Sequence, residues 1–84
     1  MKVTYRNGRP LAGYYYLPRK NGERSYGTRG ARSGLLIDFN RSGRPIGIEI
    51  TAPSKTTLAT INAVLKGLGQ KPPRRADIAP LHAA

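Results

Sequence analysis

The sequence predicts a small α+β domain: an antiparallel β-sheet built from hairpins, with one C-terminal helix packed on one face. Two patterns predict this class. Every second residue is apolar over 35–39 (Leu35, Ile37 and Phe39) and again over 46–50, and a period of two is typical of half-buried strands. After Pro53, apolar residues recur at spacings of three and four from Leu58 to Leu68, which indicates one face of a helix.

The N-terminal third predicts shorter, less regular strands. Residues 1–5 are expected to form the first strand. Residues 11–17 contain three consecutive tyrosines, a composition that favours a second strand. The Asn-Gly pair at 21–22 is a strong hairpin signal, so residues 23–28 are expected to return as the partner of that second strand. Residues 29–34 are then a basic, glycine-rich connector.

The central hairpin has a predicted register. Residues 40–43 suit a tight turn, since the glycine that ends them can adopt a positive φ. A four-residue turn there places Ile37 opposite Ile46 and Leu35 opposite Ile48. Apolar residues then face each other on one side, and a slip by one residue would reverse every side chain.

The helix has its own start and stop signals. Ser54 is a good N-cap, and Gly67 and Gly69, with two prolines beyond them, predict the C-terminal end. The apolar stripe of the helix can be buried only against the isoleucine-rich face of the hairpin. We therefore place a single domain at residues 1–69, followed by a Pro- and Arg-rich linker and tail at 70–84.

Composition excludes several classes of protein. Leu, Ile, Val and Phe together supply 17 of the 84 residues, which is too few to enclose a large catalytic cavity. The sequence has no cysteine, which excludes disulfides, thiolate zinc sites and thiol catalysis. No apolar run approaches the roughly 20 residues of a membrane helix, and no apolar signal-peptide core follows the N-terminus. We expect a cytoplasmic protein that is not bound to a membrane.

The inventory of chemical groups predicts a protein that is not an enzyme and holds no metal or cofactor. The single histidine, His82, is two residues from the end of the chain, where termini fray. In the predicted register Asp38 and Glu49 lie four strand positions apart, about 13 Å. Paired-carboxylate hydrolysis needs roughly 5–9.5 Å. The turn at 40–43 lacks the carboxylates of a calcium loop.

The charge indicates a negatively charged partner. The formal net charge is +11, and residues 1–44 carry ten basic and two acidic side chains. A net charge of about 2–8 is enough to keep a small domain soluble, so the excess positive charge favours a polyanion as the partner. Nucleic acid, either RNA or DNA, is the favoured ligand over anionic lipid, because most of the basic residues lie outside the amphipathic helix.

Tyrosines are interleaved with this charge and suggest a binding surface. Tyr14 and Tyr16 point to one face of a strand and are expected to stack on unpaired bases, while Tyr15 points to the core. Ordinary strand packing is the alternative for both tyrosines. Binding through phosphates carries little sequence specificity. The residues predicted to contact phosphates are Arg19, Lys20, Arg24, Arg29 and Arg32.

Residues 35–54, LLIDFNRSGRPIGIEITAPS, carry a resemblance to a known family. The strand with Asp38, the polar turn ending in Gly43 and the strand 47–50 leading to Ser54 resemble the core of the bacterial domain-of-unknown-function family 2283. The resemblance implies a β-hairpin-rich fold with a helix, no established activity, and an antitoxin-like or accessory role. The N-terminal half departs from the family, since relatives tend to be acidic where this chain has Arg and Gly.

Two other functions stay open at this stage. The protein is alternatively an interaction or regulatory subunit whose Arg-rich segments meet an acidic protein. A third function is a structural part of a ribonucleoprotein or virion, with basic arms that order on assembly. A core this small also favours self-association, and the outer sheet face with Leu36 and Gly47 leaves room for a homodimer contact.

Overall fold

The fold is a five-stranded antiparallel sheet with one helix, as seen in a computed structural model that describes residues 1–19, 22–31 and 34–73. The strand order is β1-β2-β5-β4-β3. The predicted α+β class is confirmed. The elements are β1 (Lys2–Arg6), β2 (Arg9–Tyr16), β3 (Gly27–Gly30), β4 (Leu35–Phe39), β5 (Pro45–Ile50), a 3-10 turn (Pro53–Lys55) and α1 (Leu58–Gly67).

The first hairpin joins β1 to β2 through a two-residue turn. Asn7 and Gly8 have φ values of 53° and 75°, so both adopt the left-handed conformation that a type I′ turn requires. The turn sets Arg6 opposite Arg9. Our prediction placed the hairpin signal at 21–22 instead, where Asn21 lies outside the described residues.

The predicted pairing of 11–17 with 23–28 is wrong. Strand β2 lies between β1 and β5, and the backbone N–H of Leu17 continues the β5 pairing by donating to Ile46. Residues 23–26 form no strand, and β3 begins at Gly27 and pairs with β4. Both sides of β2 are therefore occupied by other strands, and the predicted basic connector at 29–34 begins inside β3.

The register of the central hairpin also differs from the prediction. Ile37 lies opposite Ile48 and Leu35 opposite Ile50, two residues further along β5 than predicted. A β-bulge at this end of the hairpin changes the register, and the Asn40 side chain accepts a hydrogen bond from the backbone N–H of Arg44 at 2.7 Å. Because the shift is by two residues, the apolar side chains keep the predicted face.

The core lies between this face of the sheet and α1. Leu35, Ile37, Ile48 and Ile50 pack with Ile61, Val64 and Leu65 of the helix. The predicted N-cap Ser54 is wrong, because the chain first makes the 3-10 turn and α1 starts four residues later. Thr57 caps the helix, and its hydroxyl accepts from the backbone N–H of Thr60 at 3.2 Å. Gly69, at a φ of 71°, ends the helix as predicted.

The sheet has a second face, which we call the open face, on the side away from α1. Tyr14 and Tyr16 of β2, Gly47 and Glu49 of β5, and Asp38 of β4 lie on this face, as their registers require. Within 1–19, 22–31 and 34–73, the helix α1 packs against the other face. No helix in these residues is long and apolar enough to cross a membrane.

Candidate functional site

A polar network on the open face joins strands that are not neighbours. The Tyr14 ring starts on β2, crosses the intervening strand β5 at Gly47, and its hydroxyl donates to Asp38 Oδ2 on β4 at 2.7 Å. A Cβ atom at Gly47 would overlap the Tyr14 ring. The missing side chain at Gly47 therefore gives Tyr14 its path to Asp38.

Asp38 is held from both sides. The Thr28 hydroxyl on β3 donates to Oδ1 at 2.7 Å, opposite the bond from Tyr14, and Asp38 is 8% exposed. Burial of the phenol, then its hydrogen bond to Asp38, raises the pKa of Tyr14 to about 12, and the nearby Arg19 opposes this rise. Tyr14 therefore stays protonated near neutral pH and donates to the buried carboxylate.

Arg19 covers the two tyrosines of β2. Its guanidinium carbon lies 5.7 Å from the centre of the Tyr14 ring and 5.0 Å from that of Tyr16. Its two terminal nitrogens donate to the Tyr14 hydroxyl at 3.3 Å and to the Glu23 carbonyl at 3.4 Å, and its Nε is buried. We call Tyr14, Tyr16 and Arg19 the tyrosine cluster. The guanidinium of Arg19 is therefore largely occupied by contacts within the protein.

The tyrosine cluster is packed as a structural contact. The rings of Tyr14 and Tyr16 are 4.9 Å apart at an angle of 59°, which is the geometry of aromatic packing. No base fits between rings in direct contact, and one face of Tyr14 lies on Gly47. Tyr16 keeps 51% of its surface exposed. Stacking of a base on Tyr14 or Tyr16 stays a prediction.

A second group of arginines and aromatic rings lies at the β3 edge of the sheet. Arg29 lies over the Phe39 ring at 5.4 Å, and Arg41 lies over the Tyr26 ring at 5.9 Å. All four residues line one surface hollow, and we call them the edge cluster. Among the described residues, no hydrogen bond or ion pair engages the guanidinium of Arg29 or Arg41. Both residues are exposed, so their N–H donors are accessible to a ligand.

The sequence forms this hollow through the β3–β4 pairing. Gly27 lies opposite Phe39, whose ring is partly buried against the core and lies under the Arg29 guanidinium. The backbone N–H of Tyr26 donates to the Phe39 carbonyl at 2.8 Å and holds Tyr26 beside the β4–β5 turn that carries Arg41. An ion pair between Arg44 and Glu23, at 2.8 Å, fixes the same segment to that turn.

The surplus charge is not neutralised within the described residues. These residues include eleven of the fifteen Lys and Arg side chains and three of the four Asp and Glu side chains. The structure shows one ion pair among them, Arg44 with Glu23. The Asp38 carboxylate is occupied by two hydroxyl groups. Most of the cations therefore have no carboxylate partner in this part of the chain.

The structure divides the predicted binding residues between two places. Arg19 lies over Tyr14 and Tyr16 on the open face. Arg29 lies on β3, on the other face of the sheet, and Arg24 is exposed in the segment before β3. Lys20 and Arg32 are outside the described residues, as is His82.

Sequence reasoning missed Arg41, Phe39 and the role of Tyr26 in the edge cluster. They are far apart in the chain, and the composition of the turn alone does not indicate that Arg41 reaches Tyr26. A correct prediction that Gly27 pairs with Phe39 would have brought these residues together. The wrong hairpin assignment excluded that pairing.

The corrected register changes the distance argument about the two carboxylates. Glu49 lies opposite Leu36, so Asp38 and Glu49 occupy diagonal positions, about 7–8 Å apart and not 13 Å. The predicted separation was wrong. Asp38 is nevertheless bound by two hydroxyl groups, which leaves it a structural acceptor. Within the described ranges, no three His, Cys, Asp or Glu residues are grouped to hold a metal ion.

Comparison with known proteins adds no relative. No family model, no curated protein and no solved structure matches the chain. The resemblance of residues 35–54 to family 2283 stays a prediction.

Proposed function

We propose that this protein binds nucleic acid through its phosphates, with little sequence specificity and without catalysing a reaction. The observation that carries the proposal is the edge cluster, where two exposed guanidinium groups lie on aromatic rings with no carboxylate partner among the described residues. Arginine in this state offers planar, unpaired donors that match phosphate oxygens.

Further basic residues near the edge cluster enlarge the proposed phosphate-binding surface. Arg24 precedes Tyr26 by two residues and is exposed, and Arg44 keeps 47% of its side chain exposed while paired with Glu23. The ring contacts of Arg29 and Arg41 limit their motion, which lowers the entropy lost when a phosphate binds. The net charge of +11 adds a long-range attraction for a polyanion.

A fluorescence anisotropy titration against salt tests this proposal. Labelled RNA and DNA oligonucleotides are titrated with the full chain from about 50 mM to about 200 mM salt. If six phosphates are contacted, the slope of log K against log salt should be about −5. Absence of binding to either nucleic acid at the lowest salt would remove the proposal.

A protein partner is the second candidate, and the β1–β2 hairpin favours it. Leu11 and Tyr5 are both large, exposed side chains of this hairpin. In this alternative the partner is an acidic protein or a second copy of the chain. The protein then acts as an antitoxin-like or regulatory subunit in the bacterial cytoplasm. Native mass spectrometry after nuclease treatment distinguishes the two: a stoichiometric protein complex supports the alternative.

A further inference from the structure

We propose that the edge cluster takes an unpaired base on Tyr26, so that the preferred ligand is single-stranded nucleic acid. This inference rests on the proposed function and names the form of ligand that the site selects. The observation that suggests it is the position of Tyr26: 72% of this residue is exposed, although it is a large aromatic side chain.

The Tyr26 ring is oriented by the protein and not merely exposed. Arg41 lies over the ring at 5.9 Å, and the backbone of Tyr26 is fixed by its hydrogen bond to the Phe39 carbonyl. A ring held in this way loses little freedom when a base stacks on its other face. Every base has a flat face, so this contact tolerates any sequence.

The phosphates on either side of that base have partners close by. Arg29 and Arg41 line the same hollow as Tyr26, and neither is engaged by another polar group among the described residues. Gly27 and Gly30 begin and end β3, and no atom lies within 4 Å of a Cβ position at either glycine. The strand therefore presents no side chain at its ends to obstruct a sugar-phosphate backbone.

A double helix cannot use this arrangement in the same way. In a duplex each base is stacked on both neighbours, so neither face reaches Tyr26 unless the base leaves the stack. The arginines alone would bind both forms through phosphates. Tighter binding of single strands than of duplexes therefore indicates that a base stacks on Tyr26. Equal affinity for the two forms indicates that only the charges of the arginines bind the ligand.

The tyrosine cluster does not provide an equivalent site. Tyr14 lies on Gly47 and packs against Tyr16, and Arg19 covers both rings. Tyr5, on β1 at the opposite edge of the sheet, is 47% exposed, which makes Tyr5→Ala the matched control for Tyr26→Ala. Both changes remove one exposed tyrosine from a strand or its flank, and neither changes the charge.

The experiment compares three labelled probes of about 12 nucleotides at one low salt concentration: a single strand, a duplex, and a single strand with abasic sites. We expect the wild-type chain to bind the normal single strand most tightly. Tyr26→Ala should weaken that binding by roughly 5- to 150-fold, the range for loss of one stacked base. Tyr26→Phe and Tyr5→Ala should bind the single strand as the wild type does.

The abasic probe tests the inference without any variant, since it keeps the phosphates and removes the bases. The wild-type chain should bind it more weakly than the normal strand, and Tyr26→Ala should bind both alike. Equal affinity of the wild type for all three probes would overturn the base site and leave the proposed phosphate binding intact. Failure to bind any probe would overturn both.

Discussion

The hydroxyl of Tyr14 on β2 donates to Asp38 on β4 by passing over the strand between them, a contact between residues 24 positions apart in the chain. The crossing is made where β5 has Gly47, and the phenol lies where any larger residue would place its Cβ. Thr28 extends the network to β3. One buried carboxylate thus links three strands of the sheet through hydroxyl groups.

Gly47→Ala should destabilise the protein by about 1–3 kcal/mol, because the added methyl group overlaps the Tyr14 ring and either moves it from Asp38 or bends the strand. Urea unfolding followed by circular dichroism measures the change. Gly67→Ala is the matched control, since no atom lies within 4 Å of its Cβ position and it belongs to α1. The control should be neutral or stabilising by up to about 1 kcal/mol. Equal stability of Gly47→Ala and the wild type would contradict the crossing.

Tyr14→Phe should reduce the free energy of unfolding by about 1–3 kcal/mol, because Asp38 loses one of its two hydroxyl partners while staying buried. The ring itself is kept, so the packing on Gly47 and Tyr16 is unchanged. Tyr16→Phe removes a hydroxyl for which the described residues show no hydrogen bond, and should have little effect. If the two variants unfold at the same urea concentration, the Asp38 hydrogen bond does not stabilise the fold.

Alkaline pH should remove the stabilisation that Tyr14 supplies. Its pKa is raised from 10.0 to about 12 in the folded protein, mainly by burial, so folding favours the protonated phenol. The contribution is therefore complete below pH 10 and is lost as the pH rises towards about 12. The near-ultraviolet phenolate absorbance of the wild type minus that of Tyr14→Phe should show one group titrating near 12. A difference curve centred at the ordinary value of 10.0 would contradict the burial and hydrogen bonding of Tyr14.

The elements that sequence predicted well are those set by local periodicity. The alternation of Leu35, Ile37 and Phe39 and the helical spacing from Leu58 to Leu68 each encode one buried face, and a period is readable without any partner. The α+β class follows from two such faces that can bury only each other. The bulge between Asp38 and Phe39 leaves no trace in the alternation of the two strands, and so the predicted register was two residues early.

The candidate site depends on pairing between distant strands, which the pattern does not encode. The chain has Asn-Gly pairs at 7–8 and 21–22, and by composition both are hairpin signals. The pair at 7–8 joins β1 to β2, and these two strands pair with each other. The pair at 21–22 comes after β2, but β2 already has β1 on one side and β5 on the other. The edge cluster follows from that topology. Tyr14 and Tyr16 were correctly placed on one face, because alternation along a strand is local.

The most direct test of phosphate binding at the edge cluster is a comparison of two double variants with the same net charge. Arg29→Gln with Arg41→Gln removes both guanidinium groups of the edge cluster, and Lys55→Gln with Lys66→Gln removes two exposed cations near α1. Anisotropy titrations of a single-stranded oligonucleotide against salt should show weaker binding and a log–log slope shallower by about 2 for the arginine variant. The lysine variant should keep the wild-type slope. Equal loss of affinity in both variants would show that overall charge, and not the edge cluster, attracts the nucleic acid.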